Sequence, residues 1–84
     1  MRISVEKRTR GHAAWQRTVD AGQRVTVLLD GVVQMHCLMA DDKTGEIKRQ
    51  VADARGQLIE DPETGDVSTE LVTGKVTIIV SGAR

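Results

Sequence analysis

Three carboxylates fall within six residues of one segment, and their spacing raises the question of a calcium site. Asp61, Glu63 and Asp66 belong to the run Asp-Pro-Glu-Thr-Gly-Asp, and closely spaced carboxylate oxygens are what hard cations such as Ca²⁺ bind. The run lacks the alternating ligands and the terminal glutamate of an EF-hand loop. Asp before Pro and Thr-Gly at a chain reversal are ordinary turn chemistry. We therefore expect a structural turn here, with no metal and no cofactor.

The adjacent pair His36 and Cys37 has the residue types of a catalytic or metal-binding site. On a strand, however, successive side chains point to opposite faces. If Cys37 packs inward with Met35 and Val33, His36 points to solvent, so the sequence predicts a structural thiol and a solvated histidine. Cys37 is the only cysteine, which excludes an intramolecular disulfide and a Cys-rich zinc site and indicates a reducing interior.

The chain offers no frame for nucleophilic catalysis or nucleic-acid binding. No elbow glycines flank the serines at positions 4, 68 and 81, there is no phosphate-cradling loop, and 84 residues leave little volume for a deep pocket. We expect that the protein is not an enzyme. Trp15 is the only aromatic residue and the formal net charge is zero, so stacking platforms and a basic groove are missing. We expect no nucleic-acid partner.

Charge is unevenly distributed along the chain. Residues 1–24 carry six basic and two acidic side chains, whereas residues 41–70 carry four basic and nine acidic ones. One interpretation is ordinary solvated turns and strand faces. The other is self-association, in which a basic group from one copy meets an acidic group from another in a heterologous contact that builds a ring or stack. The candidate contacts are Lys7, Arg8, Arg10, Asp61, Glu63 and Asp66.

The elements that must position these residues are strands. Glycines recur almost evenly along the chain, at positions 11, 22, 31, 45, 56, 65, 74 and 82, and the intervals alternate polar with β-branched or aliphatic residues. This pattern predicts one all-β domain over residues 1–84, a small antiparallel meander closing into a barrel or sandwich of about six strands. So short a chain with one aromatic residue has a thin core, and a partner subunit could add to it.

In the first half, the clearest element is a hairpin over residues 24–39. It places Val25, Val27 and Leu29 on one face before Asp-Gly at 30–31, which predicts a type I′ turn, and it gives one face to residues 33, 35, 37 and 39 after the turn. A first strand is expected around Ile3 and Val5. Residues 12–21 are ambiguous, and we favour a loop or short strand, with one helical turn as the alternative.

The second half reads as further reversals. A hairpin turns at residues 41–45 and returns through 46–53 with Ile47 and Val51 inward, and a turn at 53–56 leads to a short strand at 57–60. A turn at 61–66 precedes a strand over 67–73. The last strand, residues 75–80, is apolar on both faces, which indicates a central or well covered position.

The turn motifs of residues 28–33, 37–46, 53–57, 61–66 and 74–78 resemble those of small uncharacterised proteins encoded by tailed bacteriophages and prophages. The resemblance spans roughly residues 28–80 and carries no catalytic residues over. It implies a phage or prophage origin and a part in virion assembly. The single cysteine and the lack of an export signal indicate the host cytoplasm, or the virion, as the location. The N-terminus has no apolar run of signal-peptide length and the chain has no stretch that could span a membrane.

Two hypotheses for function follow. The first is a non-enzymatic structural or assembly protein that associates with itself or with other phage assembly proteins. The second is a monomeric binding module that takes a host protein, a peptide or a metal ion on an exposed strand edge.

Overall fold

A computed structural model describes residues 1–82, which form two antiparallel sheets and one short helix. In chain order the elements are β1 (Arg2–Ser4), α1 (His12–Asp20), β2 (Arg24–Leu29), β3 (Val32–Val33), β4 (Cys37–Asp41), β5 (Glu46–Gln50), β6 (Thr69–Thr73) and β7 (Val76–Ser81). The first sheet has the order β1-β4-β5-β6 and the second β3-β2-β7. The predicted β character is confirmed. In residues 1–82, no strand pairing closes the two sheets into a barrel.

The four-stranded sheet is built on the predicted hairpin with its turn at residues 41–45. Ile47 of β5 lies opposite Ala40 of β4 and Val72 of β6, and Ile3 of β1 lies opposite Ala40 on the other side. These four side chains form one row across the inner face. Ile47 at its centre is 0% exposed, so the prediction of an inward Ile47 is confirmed.

The three-stranded sheet supplies the opposite side of the core. Val25, Val27 and Leu29 of β2 pair with Val80, Ile78 and Val76 of β7, respectively. Asp30 and Gly31 both have positive φ, 51° and 83°, which is the type I′ geometry that the Asp-Gly pair predicts.

The hairpin is nevertheless shorter than predicted. β3 has only two residues, and His36 with φ 60° turns the chain so that Cys37 begins a strand of the other sheet. Val33 and Met35 therefore do not share a buried face with Cys37, and Met35 is 69% exposed. The alternation of side chains stops at this turn, which the apolar pattern does not reveal.

Residues 12–21, for which a loop or short strand is favoured and one helical turn is the alternative, contain the nine-residue helix α1 (His12–Asp20). Gly11 begins it with φ 90°, and Gly22 ends it with φ 70°. The amides of Gly22 and Gln23 donate to the carbonyls of Val19 and Thr18, which is the Schellman pattern. The Thr18 hydroxyl donates to the Trp15 carbonyl at 2.6 Å. The hydroxyl of this buried, β-branched residue therefore has a hydrogen-bond partner within the helix.

Two strand predictions in the second half are also corrected. The segment 57–60 forms only isolated bridges, Ala52 to Leu58 and Glu60 to Val67. β7 is an edge strand of its sheet, not a central one, and its outward Ile79 is 45% exposed. Apolar character on both faces therefore does not reflect coverage on both faces here.

Candidate interaction surfaces

The loop between β1 and α1 carries the basic half of the predicted charge contact. Thr9 donates its hydroxyl proton to the Glu6 carbonyl at 2.6 Å, so Ser4 is the donor in the Ser4–Thr9 hydroxyl pair, also 2.6 Å apart. The Ser4 hydroxyl in turn accepts the Glu6 amide at 3.1 Å. This local network fixes the loop and directs three basic residues to solvent: Lys7, Arg8 and Arg10.

The acidic half lies in a turn whose shape depends on one of its own carboxylates. The Asp61 amide donates to the Asp66 carbonyl at 2.7 Å, and the Gly65 amide donates to the Asp61 carbonyl at 2.8 Å. The Asp61 carboxylate accepts the Glu63 amide at 2.9 Å. Asp61 thus acts as a turn residue, while Glu63 and Asp66 are exposed. Within residues 1–82, no group of three or more His, Cys, Asp or Glu side chains could hold a metal ion.

A groove of about 650 Å³ lies beside the acidic turn. Its lining includes Asp61, Thr64 and Asp66 together with Glu6, which precedes the basic residues in the chain, but none of the three basic residues lines it. The six predicted contact residues form no ion pair among residues 1–82. Five of them are exposed, so their charges are available to another molecule, whereas the Asp61 carboxylate is also used in its own turn.

Other charges are used within the four-stranded sheet. The Lys48 ammonium lies 3.1 Å from Glu6, and Arg49 Nε lies 2.7 Å from Glu70. Asp41 accepts Arg2 Nε at 2.9 Å and the Lys43 amide at 2.8 Å. The hydrogen bond from Arg2, then that from the Lys43 amide, lowers the pKa of Asp41 to about 2. This carboxylate is a structural cap for the β4–β5 turn.

The chain crosses from one sheet to the other at residues 34–36, next to Cys37. The Gln50 amide donates to the His36 carbonyl at 3.0 Å, and Arg49 donates to the Gln34 side chain. His36 is exposed, whereas Cys37 is half-buried and packs against the core, in agreement with the predicted placement. Burial raises the pKa of the Cys37 thiol, opposed in part by nearby Arg49, so the thiol is a poor nucleophile at neutral pH.

An apolar groove of about 320 Å³ opens between the sheets at this crossing. Its walls come from α1, β2 and the crossing segment, and its apolar lining includes Trp15, Val25, Val33, Met35 and Cys37. Sequence reasoning missed this groove because it placed Val33 and Met35 in the core. The positive φ of His36, which separates them from it, has no sequence signal as clear as a glycine.

The unpaired strand edges differ in how they are protected. Lone edge strands invite pairing with another chain, and short length or charge is the usual protection. β1 has three residues and β3 has two, and β6 carries Glu70, which is held by Arg49. β7 has six residues, Val-Thr-Ile-Ile-Val-Ser, and none is charged. The longest edge is therefore the least protected one.

Comparison of the chain with protein-family models, with curated proteins and with solved structures gave no significant match. In the part of the chain that the structure describes, no helix is both long and apolar enough to cross a membrane.

Proposed function

We propose that this chain is a non-enzymatic structural or assembly protein that associates with itself. One observation carries the proposal, which is the balance between buried and exposed apolar side chains. Among residues 1–82, ten large apolar residues are exposed, whereas only five apolar residues are buried: Ile3, Val27, Ala40, Ile47 and Val76. A second copy that covers part of this surface would add to a core that is small even for a chain of this length.

Burial in a contact between copies is more favourable than solvation for these apolar side chains. Fully burying one large aliphatic side chain contributes about 1.5 to 3 kcal/mol. Single exposed apolar residues are common on soluble proteins. Here, however, Val32, Val33 and Met35 are consecutive or nearly so, and all are exposed. Their clustering beside an open sheet edge is typical of a contact surface.

Charge supplies a second part of the proposal. The basic loop of one copy, with Lys7, Arg8 and Arg10, would meet the acidic turn of another, with Asp61, Glu63 and Asp66. All six are without an ion pair within residues 1–82. Exposed charge pairs mainly steer and orient association.

The phage or prophage origin that the turn motifs imply is also part of this proposal. Virion assembly would be the setting, and other assembly proteins would be further partners.

Light scattering coupled to size exclusion tests the proposal, at low and high salt and over a wide range of protein concentration. We expect a species larger than a monomer whose population grows with concentration. A strict monomer at the highest concentration would overturn self-association.

Charge reversal then tests the charged segments. Lys7→Glu with Arg10→Glu in one chain, and Glu63→Lys with Asp66→Lys in another, should each weaken association at low salt. Mixing the two variant chains should restore it, because each reversed patch then meets its complement. Arg17→Glu with Arg55→Glu is the matched control, since both are exposed basic residues outside the two segments. Equal effects of control and test variants would remove the charged contact from the proposal.

The apolar groove favours a second candidate, a monomeric binding module for an extended peptide of a host protein. A strand of the bound peptide would add to an open sheet edge while its side chains enter the groove. Met35→Asp, at the exposed rim, should then abolish capture of apolar peptides from a library while the far-side variant Leu71→Asp leaves it intact. Calorimetric titration with Ca²⁺ tests the version of this candidate that binds a metal ion. The absence of binding heat at millimolar Ca²⁺ would exclude that version.

A further inference from the structure

The geometry points to an antiparallel pairing of β7 with the β7 strand of a second copy, related by a two-fold axis. The two three-stranded sheets would then join into one sheet of six strands. This inference rests on the proposed self-association and names the surface and register through which it occurs. The occupant of the edge is a second copy of the same strand.

Hydrogen bonds on the neighbouring strand reveal which backbone groups of β7 are free. The Val27 carbonyl accepts the Gln34 amide at 2.8 Å, so the backbone of Val27 faces β3. Its cross-strand partner Ile78 is then in a non-hydrogen-bonded pair, and the amide and carbonyl of Ile78 face away from β2. The Asp30 amide donates to the Lys75 carbonyl at 2.8 Å, which fixes the same alternation at the start of the strand.

The free groups therefore belong to Val76, Ile78 and Val80. Each presents one donor and one acceptor along the open edge, while the side chains of the same residues face the core. Unpaired backbone groups on an extended, uncharged strand rich in β-branched residues are a template for pairing. The other open edges are interrupted by a short length or, in β6, by the Arg49–Glu70 ion pair.

The sequence of the strand suits a copy of itself in one register. Hydrogen-bonded pairs must join the residues whose backbone faces the edge, so a two-fold axis through Ile78 places Val76 opposite Val80 and Ile78 opposite itself. All three edge residues then exchange both of their bonds. Lys75 lies opposite Ser81, and no like charges meet. The core-facing side chains of both copies fall on the same side, which extends one apolar layer across the axis.

The outer face also gains from this register. Thr77 of one copy lies directly opposite Ile79 of the other, and Ile79 is 45% exposed in the single chain. A register centred on Ile79 would instead pair Val76 with Gly82, whose φ of 80° ends the extended strand. Centring on Ile78 keeps every pair within extended backbone. Because the contact depends on backbone hydrogen bonds and apolar cover, its strength should change little with salt, unlike the charged contact.

A charge placed on this edge tests the contact. Ile79→Lys adds two ammonium groups beside the axis, and we expect dimerisation to weaken about tenfold or more. Leu71→Lys is the matched control and should leave dimerisation unchanged. Leu71 is an outward, 58% exposed residue of β6, an edge strand of the four-stranded sheet. Circular dichroism and the Tm of both variants establish that each is folded. An unchanged dimer with folded Ile79→Lys overturns the inference.

Disulfide trapping tests the register. In a Cys37→Ala background, chains with Thr77→Cys are mixed with chains that carry Ile79→Cys. Opposite residues in a non-hydrogen-bonded pair have Cα atoms about 4.5 Å apart, which a disulfide can bridge. We expect the mixed crosslink to exceed either homotypic crosslink several-fold. A dominant Ile79→Cys homodimer, or no crosslink at all, overturns this register.

The outcomes separate this inference from the proposed function. A wild-type oligomer that resists Ile79→Lys and does not crosslink refutes β7 pairing and leaves self-association standing. A wild-type chain that stays monomeric at every concentration refutes both.

Discussion

The two sheets of this molecule are stabilised in different ways, although both have few large side chains. The four-stranded sheet contains Ile47 at its centre, fully buried, and joins its strands by ion pairs such as Arg49–Glu70. The three-stranded sheet has no ion pair within residues 1–82, and its last strand leaves Ile79 exposed on an open edge. The first sheet therefore holds the most deeply buried apolar side chain and charged strands, whereas the second ends in a long strand without charge.

In so small a chain, the residues that stabilise the fold and those that are open to interaction lie in different sheets. A side chain that is surrounded on all sides contributes most to folding. An edge with free backbone groups contributes least to the monomer and most to association. We therefore expect substitutions in the first sheet to change the free energy of unfolding, and outward substitutions in the second to change the oligomeric state.

The largest expected effect is at the centre of the four-stranded sheet. Ile47→Ala should lower the free energy of unfolding by about 4 kcal/mol, because three buried carbon atoms are lost and a cavity is left. The matched pair Ile47→Val and Ile78→Val removes one methylene from each sheet. Urea unfolding should give about 1 kcal/mol for the first variant and less for the second, since Ile78 is only half-buried. Equal losses would contradict the contrast between the sheets.

The next effect is at the junction of the two sheets. A Cβ at Gly45, which has φ 74°, would lie 2.5 Å from the carbonyl oxygen of Gly74, and the Gly74 amide donates to the Gly45 carbonyl at 2.9 Å. Gly45→Ala should lower the free energy of unfolding, measured by thermal unfolding, by about 2 to 3 kcal/mol. The loss arises because the positive φ is strained for alanine and because the new methyl group collides with the Gly74 backbone. Gly31→Ala is the control, because Gly31 has a similar φ of 83° with nothing within 4 Å of its Cβ position. It should cost only about 1 kcal/mol.

How far the sequence predicts this molecule depends on the range of the interactions involved. The turns at 30–31, 41–45, 53–56 and 61–66 were predictable because glycine and aspartate act locally, through positive φ and side-chain capping. The helix at His12–Asp20 was not, because Ala14 and Trp15 gain from packing on a core that no local pattern reveals. The edge position of β7 likewise depends on strand order. The exposed charges at residues 7–10 and 61–66 followed directly from composition, but the apolar groove required the turn at His36.

A smaller effect concerns the charge that caps the first sheet. The folded pKa of Asp41 is about 2, below the ordinary value of about 3.9 for an unfolded chain. Its contribution to stability is therefore fully present above the unfolded value and is lost as the pH falls through about 2. Asp41→Asn should lower the Tm at pH 7, by less than Gly45→Ala does, and the difference from wild type should vanish towards pH 2. Asp20→Asn, at an exposed helix position, is the control for the chemical change itself.

The smallest expected effect is a difference in thiol reactivity at the crossing between the sheets. Burial raises the pKa of Cys37, and alkylation requires the thiolate. Iodoacetamide should therefore label Cys37 more slowly at neutral pH than it labels a cysteine at the exposed turn position 54, made as Ala54→Cys in a Cys37→Ala chain. The midpoint of the rate against pH should also be higher for Cys37. Equal rates and midpoints would mean that the crossing segment opens freely, and the two sheets would then not keep the fixed relation on which the contrast between them depends.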